Sequence, residues 1–122
     1  MSETKPTSER CPVDSLARRE CVPCRGGTPA LEGEALARLY EQLDQWELID
    51  GRRIRKTWKF ADFAGALAFV DRVGALAEQQ RHHPDIRLSW GKATIELHTH
   101  KIGGLSESDF ILAAKIDQLD RD

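Results

Sequence analysis

The stretch that decides the fold runs from residue 79 to residue 109 and reads QQRHHPDIRLSWGKATIELHTHKIGGLSESD. It contains all four histidines of the chain, His82, His83, His98 and His100, within nineteen positions. Histidine has the unperturbed pKa nearest to neutral pH, so its side chain can donate or accept a proton at little cost. The concentration of every histidine in one segment therefore indicates a functional site.

The residues beside the first two histidines predict where these rings lie. His82 and His83 follow a long segment of helical periodicity, and Pro84 cannot continue a helix. Proline also biases the residue before it toward extended backbone angles. We therefore expect both rings at the point where the chain leaves the helix, a place where backbone can aim side chains into a cleft.

The residues from Asp85 to His100 change to a period of two, around a turn at Gly91 and Lys92. This pattern predicts an antiparallel hairpin with one face in the core. The second strand is expected to end at His100, near the start of the first, so that His100 converges with His82 and His83. The core side is predicted to carry Ile86, Leu88 and Trp90 on the first strand, and Ala93, Ile95, Leu97 and Thr99 on the second; Glu96, His98 and His100 share the other face.

The rest of the chain supplies three helices and a second hairpin. Apolar spacing predicts helices over about 32–43 and 62–81, strands over 46–50 and 52–60 joined by Asp50-Gly51, and a last helix after Ser106. The order is α-β-β-α-β-β-α. We expect an α+β fold, a two-layer sandwich in which a four-stranded antiparallel sheet has its helices on one face.

Polar residues are expected at the starts of the two longer helices and near the end of the first of them. Asp62 is predicted as the N-cap or first-turn acid of the long helix, and Ser106 with Asp109 resembles a capping box. Glu78 precedes His82 by one turn, so its carboxylate either orients that ring or is an ordinary exposed acid. The apolar stripe of the long helix is predicted to consist of Phe63, Ala66, Leu67, Val70, Val73, Gly74 and Ala77.

The first 28 residues are predicted to be a flexible, cysteine-containing arm, and residues 29–122 the folded domain. The arm is polar and interrupted by proline, and it is too poor in apolar residues to pack alone. It holds Cys11, Cys21 and Cys24, of which the last two form a C-x-x-C. Reduced thiols are the favoured interpretation; half a zinc site or a redox pair is the alternative.

Composition excludes several classes of function. A chain of 122 residues is long enough for one domain with its own core, and a net charge of −2 gives no electrostatic case for nucleic-acid binding. The basic residues of the second strand are interpreted as a solvated face. No apolar run approaches the roughly 20 residues that a membrane span needs, and the polar start is unlike a signal peptide, so a cytoplasmic location is expected.

The histidine cluster alone is compatible with three roles. In a dehydration, one imidazolium protonates a departing hydroxyl while a neutral imidazole takes a proton from an adjacent N–H. In a metal site, His98 and His100 would supply two ligands from one strand face, and the pair His82-His83 would supply more. In a structural role, the histidines would only line a loop or a subunit contact. The residues by themselves leave these three roles open.

An ordered set of short motifs extends along the chain: His82-His83-Pro84, then Thr99-His100, then Gly103-Gly104-Leu105-Ser106 with Asp109. This set resembles the signature of the pterin-4a-carbinolamine dehydratases. The likeness covers all but about the first 25 residues. It implies an enzyme, a hydro-lyase that removes water from 4a-hydroxytetrahydropterin to give quinonoid dihydropterin, which recycles the pterin of aromatic amino acid hydroxylases. The pterin is the substrate, and no metal or other cofactor is implied.

The resemblance also implies the site residues. The catalytic positions are His82, His83 and His100, and the substrate-binding positions are Glu78, Pro84, Thr99 and Asp109. His98 matches no catalytic position and is interpreted as a surface residue at the rim of the pocket. Relatives often place an aromatic residue where this chain has Ile86, so a stacking partner for the pterin must come from elsewhere.

The resemblance leaves a second class of function open, a non-catalytic binding or assembly factor. Animal members also bridge the dimerisation helices of a homeodomain transcription factor, and degenerate bacterial members assist Rubisco assembly. The degenerate helpers lack parts of the histidine set that this chain keeps, which favours the enzyme. The expected partners are a pterin substrate, further copies of the chain in a homodimer or homotetramer, and a functionally coupled hydroxylase; no nucleic acid or membrane partner is expected.

Overall fold

The computed structural model describes residues 16–18 and 29–121. The elements are α1 (Gly33–Tyr40), β1 (Glu47–Ile49), β2 (Arg53–Lys59), α2 (Phe63–Gln80), β3 (Asp85–Ser89), β4 (Lys92–Leu97), a 3-10 turn (His100–Ile102) and α3 (Glu107–Arg121). The strands form one antiparallel sheet in the order β1-β2-β4-β3. The predicted element order and the α+β class are confirmed.

The first hairpin forms at the predicted turn. Asp50 and Gly51 both have positive φ, 54° and 68°, as the two central residues of a type I′ turn do, and the N–H of Arg52 donates to the carbonyl of Ile49 at 3.0 Å. Helix α1 ends at Tyr40, three residues before the predicted end. The Tyr40 hydroxyl donates a hydrogen bond to the carbonyl of Trp46 at 2.5 Å, which ties the end of α1 to the chain entering β1.

One face of the sheet forms the core together with α2 and α3. The predicted alternation holds on β2 and β4, whose inward side chains Ile54, Trp58, Ala93, Ile95 and Leu97 are buried. On β3 it does not hold, because among the described strands β3 lies at the edge of the sheet and pairs with β4 alone. Ile86 there is 37% exposed and Trp90 at the turn is 72% exposed, although both were expected on the core side.

Helix α2 begins as predicted but presents a different stripe to the core. Asp62 caps it, accepting a hydrogen bond from the N–H of Gly65 at 2.8 Å. Phe63 and Leu67 were expected to be buried and are instead 42% and 41% exposed. The stripe is rotated because Phe69 packs between Trp58 and Phe60, at ring distances of 4.9 and 5.4 Å. The buried residues are Ala66, Phe69, Val73, Ala77 and Gln80.

A short piece of the predicted arm belongs to the core. Leu16 is completely buried, and Lys115 of α3 donates a hydrogen bond to the carbonyl of Ala17 at 2.6 Å. The domain boundary at residue 28 stays a prediction; Leu16 and Ala17, which fall within the predicted arm, contact the domain. The three cysteines lie outside the described residues.

A buried ion pair joins the sheet to α3. Lys56 of β2 contacts Asp117 at 2.8 Å, and the indole N–H of Trp46 donates to the second oxygen of the same carboxylate at 3.0 Å. The pair holds the last helix at a set position over β2. Within residues 16–18 and 29–121, no helix has the length and apolar character that crossing a membrane requires.

Candidate functional site

The end of α2 aims the first two histidines. Arg81 takes the left-handed conformation with φ 56°; its N–H bonds to the carbonyl of Glu78 and the N–H of His82 to that of Ala77. These two bonds are the Schellman arrangement that closes a helix. The helix therefore ends at Gln80, before Pro84 can act on it, and the reversal sends successive side chains in different directions.

A buried carboxylate holds the ring of His82 in place. Its Nε2 lies 2.6 Å from Oδ1 of Asp109, whose side chain is fully buried. An ionised carboxylate only accepts hydrogen bonds, so Nε2 of His82 carries the proton. Nδ1 is then the nitrogen of His82 that is left for a bound molecule.

Asp109 is itself positioned by the predicted capping box and by one further contact. Its Oδ2 accepts from the N–H of Ser106 at 2.9 Å, as the capping box requires, and from the hydroxyl of Thr99 at 2.7 Å. Thr99 and Ser106 also join their hydroxyls at 2.9 Å. Asp109 thus links the start of α3, the end of the hairpin and the end of α2.

A second carboxylate, that of Glu78, holds His83; Glu78 was expected either to orient His82 or to be an ordinary exposed acid. Oε2 of Glu78 lies 2.6 Å from Nε2 of His83, not beside His82. Glu78 precedes His83 by five residues, and the left-handed turn at Arg81 brings the two together. The pair is on the surface, with side chains 78% and 60% exposed.

His100 does not lie on a strand as predicted; it opens the 3-10 turn that follows β4. Thr99 pairs with Gly104 across this turn, with its N–H 2.7 Å from the carbonyl of Gly104. Gly103 closes the turn with φ 65°. A Cβ on Gly104 would lie only 2.8 Å from Cβ of Ala30, so a residue without a side chain is needed there. The two glycines together determine where His100 is presented.

These elements enclose a cleft of about 280 Å³. The cleft brings together four of the seven residues assigned from sequence. Glu78 and Asp109 do not line it, but each contacts one of its histidines. Pro84 is not part of the lining. The cleft also includes His98, which was expected at its rim, and two residues to which no role was assigned, Arg81 and Lys101. The lining residues are Arg81, His82, His83, His98, Thr99, His100 and Lys101.

His98 contacts His100 directly. Its Nε2 lies 3.3 Å from Nδ1 of His100, and the rings meet edge to face with centroids 4.1 Å apart. His98 is partly buried, whereas His100 is exposed. Nδ1 of His100 is thereby occupied, and Nε2 is the nitrogen that remains for a molecule in the cleft.

A second hollow of about 210 Å³ lies beside this cleft, on the face of the sheet that none of the described helices covers. Asp85, Glu96 and His98 could each offer a metal ligand there, with the three atoms within 4.8 Å of one another. Burial raises the pKa of Glu96, but hydrogen bonds and charge from Arg55 and Arg53 outweigh this and lower it below the ordinary value. Both of its oxygens contact these guanidiniums, at 2.9 and 3.4 Å, which disfavours a cation.

The chain is similar to known proteins over most of its length. Residues 29–119 match the model of the family described as pterin 4 alpha carbinolamine dehydratase. A Rubrobacter xylanophilus protein named "Putative pterin-4-alpha-carbinolamine dehydratase" is 55% identical over 107 residues, which are 88% of this chain and all of that protein. A protein of the same name from Alkaliphilus metalliredigens is 46% identical over 107 residues, 87% of this chain and 96% of its own.

Two solved structures share the fold. One is described as a transcriptional coactivator/pterin dehydratase from Brucella melitensis; it has a TM-score of 0.69 and 30% identity, and the match covers 74% of this chain and 97% of that one. The other is described as a pterin dehydratase-like protein that is a RuBisCO assembly factor in the alpha-carboxysome. Its TM-score is 0.51 and its identity 25%, with 62% of this chain and 86% of that one covered.

Proposed function

The chain belongs to the pterin 4 alpha carbinolamine dehydratase family, and on this basis we propose that it dehydrates 4a-hydroxytetrahydropterin to quinonoid dihydropterin. The observation that carries the proposal is the convergence of His82, His83 and His100 on one cleft. Carboxylates contact two of these rings at 2.6 Å. The complete histidine set favours the enzyme over a purely binding role.

The reaction needs one proton donor and one proton acceptor. The C4a–O bond breaks as the hydroxyl leaves with an added proton, and the proton on the neighbouring ring nitrogen is taken up as the C=N bond forms. One water is released, and no electron is gained or lost. Two imidazoles in opposite protonation states can supply both transfers near neutral pH.

His82 and His100 are proposed to share these two transfers. His82 offers Nδ1, since its Nε2 donates to Asp109. His100 offers Nε2, since its Nδ1 contacts His98. Asp109 holds the ring of His82 and its tautomer in the way that the carboxylate of a catalytic triad holds its histidine, and Thr99 in turn donates to Asp109.

His83 is proposed to bind the substrate more than to transfer protons. Its ring and the carboxylate of Glu78 form an exposed pair at the cleft edge. Both can contact the polar edge of a pterin, which carries several N–H groups and a carbonyl. Pro84 is proposed to hold the chain after His83 in an extended conformation, since proline restricts both itself and the residue before it.

The product would be reduced and used again by an aromatic amino acid hydroxylase, so the protein is proposed to recycle the pterin of such an enzyme. The pterin is the substrate, and the chemistry requires no metal or other cofactor. A binding or assembly role like those of the two structural relatives is the alternative for this fold. The activity assay separates these possibilities.

The test is the decay of chemically generated 4a-carbinolamine, followed by absorbance with and without the protein. The carbinolamine also dehydrates unaided, so the rate above that background is the quantity to compare. We expect acceleration that persists after treatment with EDTA. No acceleration would contradict the proposed function. Acceleration that is lost in EDTA and restored by zinc would contradict the metal-free chemistry alone.

A further inference from the structure

We propose that His98 is a positioning residue for His100: the two imidazoles form one hydrogen-bonded pair with a single positive charge, which keeps His100 ready to donate a proton. This inference rests on the proposed function, because the proton goes to the departing hydroxyl. It begins from the contact of 3.3 Å between Nε2 of His98 and Nδ1 of His100. That distance is at the long end of the hydrogen-bond range.

The contact restricts where protons can lie. Two facing ring nitrogens have room for one proton, so one ring donates and the other accepts. A pair of imidazoles with one positive charge holds three protons on four nitrogens. One of the three lies in the contact, and the outer nitrogens carry the other two, so Nε2 of His100 is protonated. After it gives this proton to the substrate, the pair is neutral and the contact between the rings is intact.

Negative charge lies beside this pair. A carboxylate oxygen of Asp85 and one of Glu96 are each within 4.8 Å of a ring nitrogen of His98. Asp85 and Glu96 are direct partners across β3 and β4, so both project from the uncovered face. Arg55 and Arg53 contact both oxygens of Glu96 and offset its charge, so Asp85 contributes the larger share of the negative charge at the pair. Nearby carboxylates stabilise a protonated imidazole.

Cationic groups on the other side limit the pair to one charge. Arg81 and Lys101 line the same cleft, and a second positive charge on the pair would be repelled by both. The titratable and charged groups that surround the pair are Asp85 and Glu96 on the sheet, Arg81, His82 and His83 at the end of α2, and Lys101 in the 3-10 turn.

Substitutions at residue 98 test whether it acts through His100. For His98→Ala we expect kcat to fall about 10- to 100-fold, the usual effect of losing a hydrogen bond to a charged group, with KM changed less than about twofold. The high-pH limb of the rate profile should move to lower pH, because the protonated pair has lost its partner. His98→Gln keeps an acceptor near the position of Nε2 and should retain most of the rate. Thr94→Val, on the same face of β4, is the matched control and should change neither quantity.

Two further experiments decide whether His98 acts through His100 or has an independent role. In a His100→Ala background, His98→Ala should cost nothing more; an equal loss in both backgrounds overturns the proposal. Nitrogen-15 spectra of the histidine rings should show a coupled titration of residues 98 and 100 that becomes a single step in His98→Ala. Independent titration in the unaltered protein also overturns it. Because the spectra need no substrate, they decide this inference even if the dehydratase assay fails.

Discussion

Asp109 is the residue on which the geometry of the histidine cleft depends most. Its buried carboxylate accepts hydrogen bonds from Thr99, Ser106 and His82, so three parts of the chain meet at one side chain. Few substitutions can satisfy all of these donors. A carboxylate with this many partners is at once a helix cap and the support of a histidine of the cleft.

Asp109→Asn is the most informative substitution at this position. The amide has the size of the carboxylate but brings two donors, so at least one of the present donors loses its acceptor. We expect the free energy of unfolding to fall by about 1–3 kcal/mol. We also expect kcat to fall by a larger factor than KM rises, because the preferred tautomer of His82 is lost. Urea denaturation and the absorbance assay measure the two effects; an unchanged kcat would show that Asp109 only caps the helix.

Glu96 gives a prediction about the pH dependence of stability. Its pKa is lower in the folded chain than its ordinary value of 4.5, because Arg55 and Arg53 outweigh the effect of burial. A lowered pKa contributes stability that is present above the unfolded value and is lost as the pH falls through the folded value. We therefore expect Glu96→Gln to cost about 1 kcal/mol at pH 7 and progressively less below about pH 4.5.

Urea denaturation of both proteins at several pH values between 7 and 3.5 measures this difference. Thr94→Val is the control on the same face of β4. A cost of Glu96→Gln that grows as the pH falls would contradict the ion-pair account of this residue.

At the scale of elements, the turn between β4 and α3 presents His100. Gly103 and Gly74 offer a matched pair of substitutions, because a Cβ at either position would meet nothing within 4 Å. Only Gly103 has a positive φ, 65°. We expect Gly103→Ala to destabilise by about 1–2 kcal/mol through backbone strain, and Gly74→Ala, inside α2, to stabilise by about 0.5–1 kcal/mol.

Thermal unfolding compares the two glycine variants. The assay should also show reduced kcat for Gly103→Ala alone, since only that turn carries a histidine of the proposed mechanism, His100. Equal effects of the two substitutions on stability would contradict the account of the turn.

The position of residues 16–18 gives a second prediction about an element. Leu16 is completely buried against the domain. Leu16→Ala should therefore cost about 2–5 kcal/mol, the usual range for a buried leucine. Ala64→Ser, at an exposed position of α2, is a control that should change the midpoint of urea unfolding little. If Leu16→Ala also leaves that midpoint unchanged, the segment is dispensable, as its composition alone suggested.

Features that depend on neighbouring residues along the chain were predictable from sequence, and features that depend on distant contacts were not. The cap at Asp62 and the capping box at Asp109 are local, and both formed as predicted. The burial of Phe69 depends on rings of the first hairpin, and that of Leu16 on the last helix. The contact of Glu78 with His83 could not be predicted. It depends on the left-handed turn before His82, and no glycine in the sequence indicates that turn.

For the whole molecule, we propose a symmetric homodimer or homotetramer. Trp46 and Trp58 are buried in the core and cannot contribute to a contact surface. Two of the exposed large apolar residues, Phe63 and Leu67, lie one turn apart on α2, each more than 40% exposed. Exposed apolar residues grouped on one helix are typical of a contact surface.

Light scattering at micromolar concentration measures the assembly. We expect a mass of two or four chains for the unaltered protein and a smaller mass for Leu67→Glu. Gln79→Glu, an equal change of charge at another exposed position of α2, should leave the mass unchanged. A monomeric unaltered protein would contradict the proposed assembly.

The most direct test of the central claim is the rate of carbinolamine dehydration in single histidine variants, corrected for the unaided reaction. His82→Ala and His100→Ala should each lower kcat by about 10²–10⁴-fold, the usual contribution of one general acid or base. The rate of the unaltered enzyme should follow a bell-shaped pH profile whose limbs belong to coupled groups. His83→Ala should raise KM more than it lowers kcat, and Lys92→Ala, at an exposed position of β4, should match the unaltered protein. Full activity in the His82 and His100 variants would contradict the account.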